Sequence, residues 1–552
     1  VAPCKEGCPI HQDITTYLQL VGEEKYEEAM EVITEKNPLP FITGTICAHN
    51  CMSKCTRNFY ETPVHIREMK LKAAENGYEA LLEKLPVPAV TKAGKAAVIG
   101  GGPAGMAAAY FLRKGGMEVT LFEAKESLGG VVRHVIPPFR ISEDAIEKDA
   151  EILRKMQVDI RCNTKVESLE ELKKQGYTKI VLAVGAPVQG SLKLESGMPK
   201  NALEFLAEFK QTDGNVSLGK YVVVIGGGNT AMDTARAAKR NAGVEHVYLI
   251  YRRTRRYMPA DEEELVMALE DGVEFKELLS PVKLENGQLF CKVMQLSDYD
   301  VSGRRGVTET GETVWVPADT VIAAVGEKVP TDWYQANGLA VSEKGRLYVD
   351  EKTLKTSDDN VYAAGDGLYG PATVVEAIRD GRKVAEAIAG EVLACDFDKL
   401  AEEEKVYAKR GVLKEEQKET KEAGRCLGCS TICENCVEVC PNRANIAIQV
   451  PGMEKHQIIH VDYLCNECGN CKSFCPYSSA PYLDKFTLFA TEADMENSKN
   501  QGFAVLNQET RRCKVRFFGK NFIWEPEKPA GLPDGLGCMI ETVCRDYSYL
   551  IR

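Results

Sequence analysis

The chain has 552 residues, too many for one hydrophobic core and enough for roughly three or four domains. Its net charge of −12 gives no electrostatic reason to expect a nucleic-acid partner, and no apolar segment has the length of a membrane span. We expect no secretory signal, because no basic segment is followed by an apolar one. The 20 cysteines concentrate near the two ends, which favours metal ligation in a reducing cytoplasm over disulfides.

Residues 1–92 are predicted to be helical. The apolar residues of DITTYLQLVGEEKYEEAMEVITEKN recur at three- and four-residue spacing, and Pro38 and Pro40 end the pattern. Five cysteines lie here, as Cys4-x3-Cys8 and Cys47-x3-Cys51-x3-Cys55. We interpret them as iron–sulfur ligands, because the zinc alternative favours CxxC pairs and fits x3 spacings without histidine poorly. The chain begins with Val rather than Met, so we expect residues upstream.

A strand, a glycine-rich turn, a helix and a second strand are predicted in KAAVIGGGPAGMAAAYFLRKGGMEVTLFEA. The turn consists of Gly100, Gly102, Pro103, Ala104 and Gly105. Such glycines let backbone N–H groups approach a pyrophosphate at the start of a helix. Glu123 ends the second strand, where a carboxylate accepts hydrogen bonds from a ribose. The alternative, a coincidental glycine-rich turn, is disfavoured because all these features fall in order.

Residues 220–253 repeat this plan in KYVVVIGGGNTAMDTARAAKRNAGVEHVYLIYRR. The turn here consists of Gly226, Gly228, Asn229, Thr230 and Ala231, with Ala in place of the third Gly. The second strand ends in Arg252 and Arg253 rather than in an acid. Guanidinium groups bind a 2′-phosphate bidentately, so NADPH is favoured over NADH. The alternative is that RRTRR is a solvated basic loop.

A third phrase, NVYAAGDGLYGPATVVEAIRDG, places Asp366 after a predicted strand and before an apolar helix. With GGGPAG and the strand ending in AAVG (323–326), it resembles the flavoprotein pyridine-nucleotide oxidoreductases. The resemblance implies that Asp366 hydrogen-bonds the flavin ribityl chain and that the next helix points at the isoalloxazine. It also implies an NADP-binding domain, 218–317, inserted in an FAD-binding domain of 93–217 and 318–395. The further cofactor positions are Gly326, Gly365, Thr373 and Val374.

The N-terminal block CKEGCP…FITGTICAHNCMSKC extends the resemblance. Together with GGGPAG and GGGNTAMD, it is similar to the glutamate synthase small subunit and the amino half of dihydropyrimidine dehydrogenase, over about residues 4–390. This similarity implies FAD contacts from Gly130, Val131 and Arg140, and 2′-phosphate contacts from Arg252, Arg253 and Arg256.

The same similarity implies two N-terminal [4Fe–4S] clusters. One takes Cys8, Cys47, Cys51 and Glu68, although a helix-surface glutamate is more often simply solvated. The other takes Cys4, Cys55 and a CxxC expected before Val1, so this site is either incomplete or completed by upstream residues. The N-terminal domain is therefore predicted to hold one or two clusters.

A charged segment, 396–425, is predicted to be an exposed helical linker to a ferredoxin-like domain at 426–485. Cys465-x2-Cys468-x2-Cys471-x3-Cys475-Pro is the bacterial ferredoxin pattern, and Cys429-x3-Cys433-x2-Cys436-x3-Cys440-Pro differs from it by one inserted residue. In such pairs the fourth cysteine of each run ligates the other cluster. One cluster therefore takes Cys429, Cys433, Cys436 and Cys475, and the other takes Cys465, Cys468, Cys471 and Cys440. Zinc knuckles are disfavoured by the two Cys-Pro runs.

Cys426 exceeds this ligand count. Two roles stay open for it: a thiol near the cluster but outside its ligand set, or a ligand in place of Cys429. Residues 486–552 form an unclassified tail, in which Cys513, Cys538 and Cys544 are expected to be ordinary buried thiols. The domain order resembles the family named for a selenate reductase iron–sulfur subunit, whose name does not establish the substrate.

The predicted fold is α/β, with two Rossmann-like domains, one inserted in the other, between an α-helical iron–sulfur domain and an α+β ferredoxin-like domain. We expect NADPH to reduce FAD, and FAD to pass electrons through [4Fe–4S] clusters to a ferredoxin or a partner subunit, such as a molybdenum enzyme, in a cytoplasmic hetero-oligomer. Two alternatives remain: the reverse flow to NADP⁺, and a structural iron–sulfur subunit with inactive nucleotide sites. The intact glycines and acids disfavour the structural alternative.

Overall fold

The computed structural model describes residues 1–59, 61–299, 305–397, 406, 408, 422–429, 433–453, 455–527 and 531–552. These residues form two compact units: a larger unit of residues 25–48 and 67–396, and a smaller unit of residues 1–24, 49–66 and 397–552. Most of the predicted charged linker (398–405, 407 and 409–421) lies outside the described residues. No helix in the described part of the chain is both long and apolar enough to cross a membrane.

Among the described residues, six α-helices and a 3-10 helix, Thr56–Phe59, precede the first strand, in agreement with the helical prediction for this region. The α-helices are α1 (Pro3–Glu6), α2 (Ile14–Gly22), α3 (Tyr26–Lys36), α4 (Pro40–Ile46), α5 (Asn50–Ser53) and α6 (Ile66–Lys84). The amphipathic segment breaks between α2 and α3, where Glu24 has a left-handed φ of 60°. Pro40 begins α4 rather than ending a helix, because proline fits the first helical turn.

The first βαβ plan forms as predicted in the larger unit. Its elements are β1 (Lys95–Ile99), α7 (Pro103–Lys114), β2 (Glu118–Phe122), α8 (Val131–His134), α9 (Glu143–Lys155), β3 (Asp159–Arg161), α10 (Leu169–Lys174), β4 (Tyr177–Leu182), β5 (Val188–Gln189), β6 (Lys200–Asn201) and α11 (Ala202–Gln211). The strands β1 and β2 are buried beyond their first residues, as expected for a parallel sheet covered on both faces.

The second βαβ plan follows in the same unit. Its elements are β7 (Tyr221–Ile225), α12 (Asn229–Arg240), β8 (His246–Tyr251), α13 (Glu262–Glu270), β9 (Glu274–Glu277), β10 (Leu279–Glu285), β11 (Gln288–Tyr299), β12 (Arg305–Pro317) and β13 (Thr320–Ala323). The unit is completed by β14 (Glu327–Lys328), α14 (Thr331–Ala336), β15 (Val361–Ala363), α15 (Asp366–Tyr369) and α16 (Val374–Ala389).

Two five-stranded sheets organise the larger unit, in the orders β15-β4-β1-β2-β3 and β6-β13-β7-β8-β9. All pairings within both sheets are parallel, which confirms the α/β prediction. The second sheet takes in more of the chain than 218–317, because β6 and β13 pair within it. The apolar face of α11 also packs in its core, so the predicted boundary is too narrow on both sides.

The smaller unit contains the C-terminal cysteines. A 3-10 helix, Glu422–Arg425, precedes α17 (Asn435–Glu438), β16 (Asn445–Ile448), β17 (Gln457–Val461), α18 (Asn470–Ser473), α19 (Pro481–Asp484), β18 (Thr487–Phe489), α20 (Glu492–Asn497), β19 (Gly502–Asn507), β20 (Arg512–Phe517), β21 (Lys520–Trp524) and α21 (Asp534–Asp546). Six strands form one sheet in the order β16-β17-β18-β19-β20-β21.

The unclassified tail is therefore part of a folded sheet. Its strands continue the β16-β17 pair of the ferredoxin-like region, and its helix α21 covers a shared apolar core. Cys513 and Cys544 are buried in that core, as expected. Cys538 is exposed, so the expectation of a buried thiol is wrong there, because it lies on the outer face of α21.

Candidate functional site

The predicted flavin loop connects β1 to α7 at the carboxyl edge of the first sheet. A Cβ added to Gly105 would lie 1.8 Å from the carbonyl oxygen of Gly100, so this glycine allows the helix to pack on the loop. At Gly102, by contrast, the nearest described atom to an added Cβ is 3.8 Å away. The loop thus leaves open space beside Gly102 and Pro103, the first residue of α7, where a pyrophosphate would bind.

Glu123 directly follows β2 and is buried beside this loop. Its Oε2 accepts a hydrogen bond from the backbone N–H of Gly101 (2.7 Å), and its Oε1 accepts one from Lys125 (2.8 Å). The carboxylate therefore holds the loop and stands where a ribose would lie beside a pyrophosphate at α7.

Asp366 follows β15 at the same edge of the sheet. Its Oδ1 accepts a hydrogen bond from Ala372 N (3.0 Å). Burial raises the pKa of the Asp366 carboxyl to about 6, against the effect of that hydrogen bond. Thr373 caps α16, because its Oγ1 accepts from Glu376 N (3.3 Å) while Glu376 accepts from Thr373 N (3.0 Å). The amino end of α16, which begins at Val374, therefore lies close to Asp366 along the chain.

Four further predicted FAD positions lie in the same unit. Gly130 and Gly365 have left-handed φ angles of 53° and 70°, and added Cβ atoms would crowd Gly102 and Ala104, respectively. Val131 is 52% exposed. The carbonyl oxygen of Gly326 accepts a hydrogen bond from Gly190 N (2.9 Å). These placements keep the glycine loop, the GGV segment and the GD phrase of the first sheet adjacent.

Arg140 is engaged by protein carboxylates. Its Nη2 lies 2.6 Å from Glu264 Oε1, and its Nη1 lies 3.0 Å from Asp233 Oδ1. Burial raises the pKa of Asp233 to about 6, and the Arg140 charge opposes that rise. Sequence reasoning missed both acids, since nothing local to α12 or α13 indicates a partner so far along the chain. A role for Arg140 toward FAD stays a prediction.

The predicted nicotinamide-nucleotide loop connects β7 to α12. A Cβ on Gly226 would lie 2.5 Å from Ala324 O, whereas one on Gly228 would meet no described atom within 4 Å. Asn229, the first residue of α12, exchanges hydrogen bonds with Asp261: its Nδ2 donates to Asp261 Oδ2 (3.1 Å), and its Oδ1 accepts from Asp261 N (3.0 Å). Thr230 and the buried Ala231 follow in the first turn. This loop repeats the open space found beside Gly102.

The predicted 2′-phosphate arginines follow β8. Arg252 and Arg256 are exposed. Arg253 donates from Nε to the carbonyl oxygen of Arg305 (2.8 Å), which fixes the orientation of its guanidinium group. Arg256 lines a cavity together with Arg255, Met258 and Leu265. Arg255 was not predicted as a ligand, although its place in RRTRR offered the signal.

One predicted cluster set surrounds a single cavity in the smaller unit. Cys440, Cys465, Cys468 and Cys471 all line this cavity, together with His460 and Tyr482. Two of these thiols already accept hydrogen bonds from the backbone: Cys440 Sγ from Ala444 N (3.2 Å), and Cys465 Sγ from Glu467 N (3.3 Å). Backbone N–H groups directed at sulfur tune the potential of an iron–sulfur cluster, so the donor set fits the predicted [4Fe–4S] group.

The other predicted ferredoxin-like set is only partly assembled. Burial raises the pKa of Cys436 to about 11; Lys485 opposes this, and the neighbouring thiols of Cys433, Cys471 and Cys475 contribute to it. The fourth predicted ligand, Cys429, lies 3.1 Å from the Thr56 hydroxyl. Burial raises its pKa to about 12, and its neighbouring thiols are those of Cys426, Cys433 and Cys55. Cys429 therefore stands between Cys433 and the N-terminal cysteines.

The N-terminal cysteines divide between the two units. Cys4, Cys8, Cys51 and Cys55 belong to the smaller unit, and Cys47 and Glu68 belong to the larger unit. The Glu68 side chain is 43% exposed and its Oε1 lies 3.1 Å from Arg67 Nη2, whereas its Oε2 is covered and lacks a hydrogen-bond partner among the described residues. The set of Cys8, Cys47, Cys51 and Glu68 stays a prediction.

Within the described part of the chain, no three His, Cys, Asp or Glu side chains converge on one point as a single metal ion requires. Zinc needs such convergence, with sulfur about 2.3 Å from the ion. A [4Fe–4S] cluster binds each thiolate to a different iron atom, so its ligands surround a larger volume. The four cysteines of the Cys440 cavity line one space, as the ligands of a single cluster would.

Two family models match the chain. Residues 94–381 match the model described as pyridine nucleotide-disulphide oxidoreductase, and residues 1–80 match the model described as dihydropyrimidine dehydrogenase domain II, 4Fe-4S cluster. The first match covers the two parallel sheets and both glycine loops. The predicted resemblance is therefore confirmed.

Relatives with curated names match over longer stretches. YgfK of Escherichia coli (strain K12) is 39% identical over 545 residues, which cover 95% of this chain and 52% of YgfK. The NADPH-Fe(3+) oxidoreductase subunit beta of Geobacter sulfurreducens (strain DL-1 / KN400) is 34% identical over 70% of this chain and 63% of that subunit. The glutamate synthase [NADPH] small chain of E. coli (strain K12) is 33% identical over 70% of this chain and 87% of that small chain. The chain spans about half the length of YgfK.

Proposed function

Because the chain belongs to the pyridine nucleotide-disulphide oxidoreductase family, we propose that it is an NADPH-oxidising electron-transfer subunit with FAD and [4Fe–4S] clusters. The observation that carries the proposal is the pair of glycine loops in the larger unit. Each loop follows a parallel strand and leaves open the position, Gly102 or Gly228, that a dinucleotide pyrophosphate approaches.

The residues around the first loop support FAD as its ligand. Glu123 holds the loop at the ribose side, and the capped amino end of α16 supplies backbone N–H groups near Asp366. Bound FAD would accept hydride from a nicotinamide and release electrons one at a time. The chain's own contribution is to orient the two nucleotides and to keep water from the flavin ring.

The arginines after β8 support NADPH over NADH. Arg256 is exposed, lines a cavity with Arg255 and follows the strand that normally carries a ribose-binding acid. The names of relatives are divided: the Geobacter and glutamate synthase relatives are named for NADPH, whereas PreT of E. coli (strain K12) is named for NAD. The arginines therefore carry the choice of NADPH. The predicted residues Arg252, Arg253 and Arg256 would bind the 2′-phosphate.

The cysteines of the smaller unit support one-electron transfer away from the flavin. The cavity lined by Cys440, Cys465, Cys468 and Cys471 would hold one cluster, and further cysteines of both terminal blocks would hold others. Several relatives are named as subunits, which supports a hetero-oligomer in which a ferredoxin or a partner catalytic subunit, such as a molybdenum enzyme, takes the electrons. A cytoplasmic location stays a prediction.

A test uses the full chain purified without oxygen. Flavin and iron are quantified, and reduction of benzyl viologen is followed with NADPH and with NADH. The proposal predicts bound FAD and faster viologen reduction with NADPH. Viologen reduction by NADH alone would overturn the nucleotide assignment, and absence of flavin would leave the structural alternative. Faster reduction of NADP⁺ by reduced viologen than the forward reaction would assign the reverse flow.

A further inference from the structure

The segment before Cys426 lies along the N-terminal block of the smaller unit. The Arg57 guanidinium donates from Nε to the carbonyl oxygen of Arg425 (2.6 Å). In return, the Arg425 guanidinium lies 3.0 Å from Glu61 Oε1 and donates to Thr62 O (2.7 Å). Both arginines are almost fully buried, at 1% and 2% exposure.

This contact is extensive enough to fix the position of the CLGC sequence that follows. His65 N donates to Glu422 Oε1 (2.9 Å), and Arg425 Nη1 also donates to Pro63 O (3.2 Å). Breaking a buried, hydrogen-bonded ion pair leaves an uncompensated charge in the interior, so such a network holds the two segments in one register. This network therefore places Cys426 and Cys429 close to the N-terminal cysteines.

The thiols meet directly after this network. Cys429 Sγ lies 3.1 Å from the hydroxyl of Thr56, the residue after Cys55. Cys4 is buried in α1, which packs on α5 just before Cys55. The thiols that neighbour the buried Cys4 are those of Cys429, Cys426, Cys51 and Cys55. Five cysteines from the two ends of the chain thus lie near one another. One of them, Cys51, already belongs to the predicted set of Cys8, Cys47 and Glu68, which leaves four.

We propose that Cys4, Cys55, Cys426 and Cys429 ligate one [4Fe–4S] cluster, which joins the N-terminal and C-terminal cysteine blocks. The inference rests on the proposed iron–sulfur chemistry and is independent of the flavin and NADPH assignments. It supplies a full set of four thiolates from residues within the described chain. It also gives Cys426 a role and explains the extra residue in the Cys429-x3-Cys433 spacing.

The assignment changes the neighbouring set. Because Cys429 binds only one cluster, the ferredoxin-like site beside it retains Cys433, Cys436 and Cys475. Tyr477 lies between the two sites: its hydroxyl donates to Val1 O (2.6 Å), and the thiols of Cys433, Cys429 and Cys4 lie near it. The proposed cluster would therefore stand next to the ferredoxin-like clusters, and the N-terminal and C-terminal sets would form one continuous path for electrons.

The test compares three variants of the full chain purified without oxygen. C426S and C4S remove one ligand each, and C538S changes an exposed cysteine of the same unit as a matched control. Iron is quantified, and the reduced clusters are recorded by low-temperature EPR. We expect C426S and C4S to lose the same EPR signal and each up to about four iron atoms per chain, while C538S matches the parent chain.

Two results would overturn the proposal: parental iron and EPR in C426S, or loss of a different signal in C426S than in C4S. Bleaching of the flavin by NADPH should persist in all three variants, which separates this inference from the proposed function. If C426S fails to fold, iodoacetamide labelling of the parent chain decides. Cys4, Cys55, Cys426 and Cys429 should become alkylated together when the clusters are oxidised, and labelling of Cys426 in the intact protein would exclude it as a ligand.

Discussion

The Glu123 carboxylate accepts a hydrogen bond from the backbone N–H of Gly101 at 2.7 Å. A side chain after β2 thereby fixes the loop after β1, before any nucleotide binds. Removing the carboxylate in E123A should weaken FAD binding about 10-fold or more, because a charge-assisted hydrogen bond contributes about 1.5–3 kcal/mol. Flavin content and FAD affinity after reconstitution measure this. The control E126A changes an exposed neighbour and should retain flavin; equal loss in both variants would contradict the role of Glu123.

Substitutions in the two glycine loops can separate effects on folding from effects on nucleotide binding. G102A and G228A each place a methyl group in open space, on backbone that any residue adopts (φ −74° and −98°). G102A should therefore fold normally but bind FAD poorly, and G228A should keep FAD but lose NADPH binding. Thermal unfolding, flavin content and NADPH titration check this.

The contrasting variant is G105A, whose methyl group would lie 1.8 Å from Gly100 O. It should lower the thermal midpoint as well as the flavin content, because the helix must move away from the strand. If G102A is destabilised as strongly as G105A, the space beside Gly102 is not a ligand site.

Replacing Arg256 should change the choice between nucleotides. In R256Q the loss of one charged contact to the 2′-phosphate should raise KM for NADPH about 10-fold or more and leave KM for NADH unchanged. Steady-state kinetics with a viologen acceptor measure both values. The control K220Q removes a surface charge just before β7, at the end of the strand away from the glycine loop. It should change neither KM value. Equal weakening of both nucleotides would refute a 2′-phosphate contact.

The titration of Asp366 makes the free energy of unfolding of the larger unit depend on pH. Burial raises the pKa of its carboxyl from 3.8 to about 6, so the folded state favours the protonated form. This contribution to the free energy of unfolding is complete below pH 3.8 and is lost as the pH rises through about 6. From pH 5 to pH 8 the parent chain should lose about 1 kcal/mol relative to D366N, since each pKa unit corresponds to about 1.36 kcal/mol.

Differential scanning calorimetry of the flavin-free protein at both pH values checks this prediction. The thermal midpoint of D366N should rise by roughly 2 °C relative to the parent chain between pH 5 and pH 8. D332N, which changes an exposed carboxylate, should show no such shift. A pH-independent difference between D366N and the parent chain would mean that Asp366 is solvated in the folded state.

Local patterns carried much of the sequence prediction. The two glycine loops, the position of Glu123 after β2 and the Cys465–Cys475 spacing depend on neighbours within one supersecondary unit, so the sequence alone places them. The confirmed family match over residues 94–381 covers both glycine loops and Glu123.

Relationships between distant segments were not predictable in this way. The pairing of β13 with β7 widens the second sheet, because a parallel strand finds its partner across a long connection. Arg140, in the turn between α8 and α9, meets Glu264 of α13 and Asp233 of α12 only through the tertiary fold. The approach of Cys429 to Thr56 joins opposite ends of the chain, so the spacing of the C-terminal cysteines alone could not assign Cys426.

The most direct test of the central claim is an anaerobic titration of the purified chain with NADPH, in which flavin bleaching is followed optically and cluster reduction by low-temperature EPR. The account predicts rapid bleaching by NADPH, slower bleaching by NADH, and reduced-cluster signals that follow the flavin. Bleaching without any cluster signal would contradict electron flow from NADPH to the clusters. No bleaching by either nucleotide would contradict the proposal that this chain is an NADPH-oxidising flavoprotein.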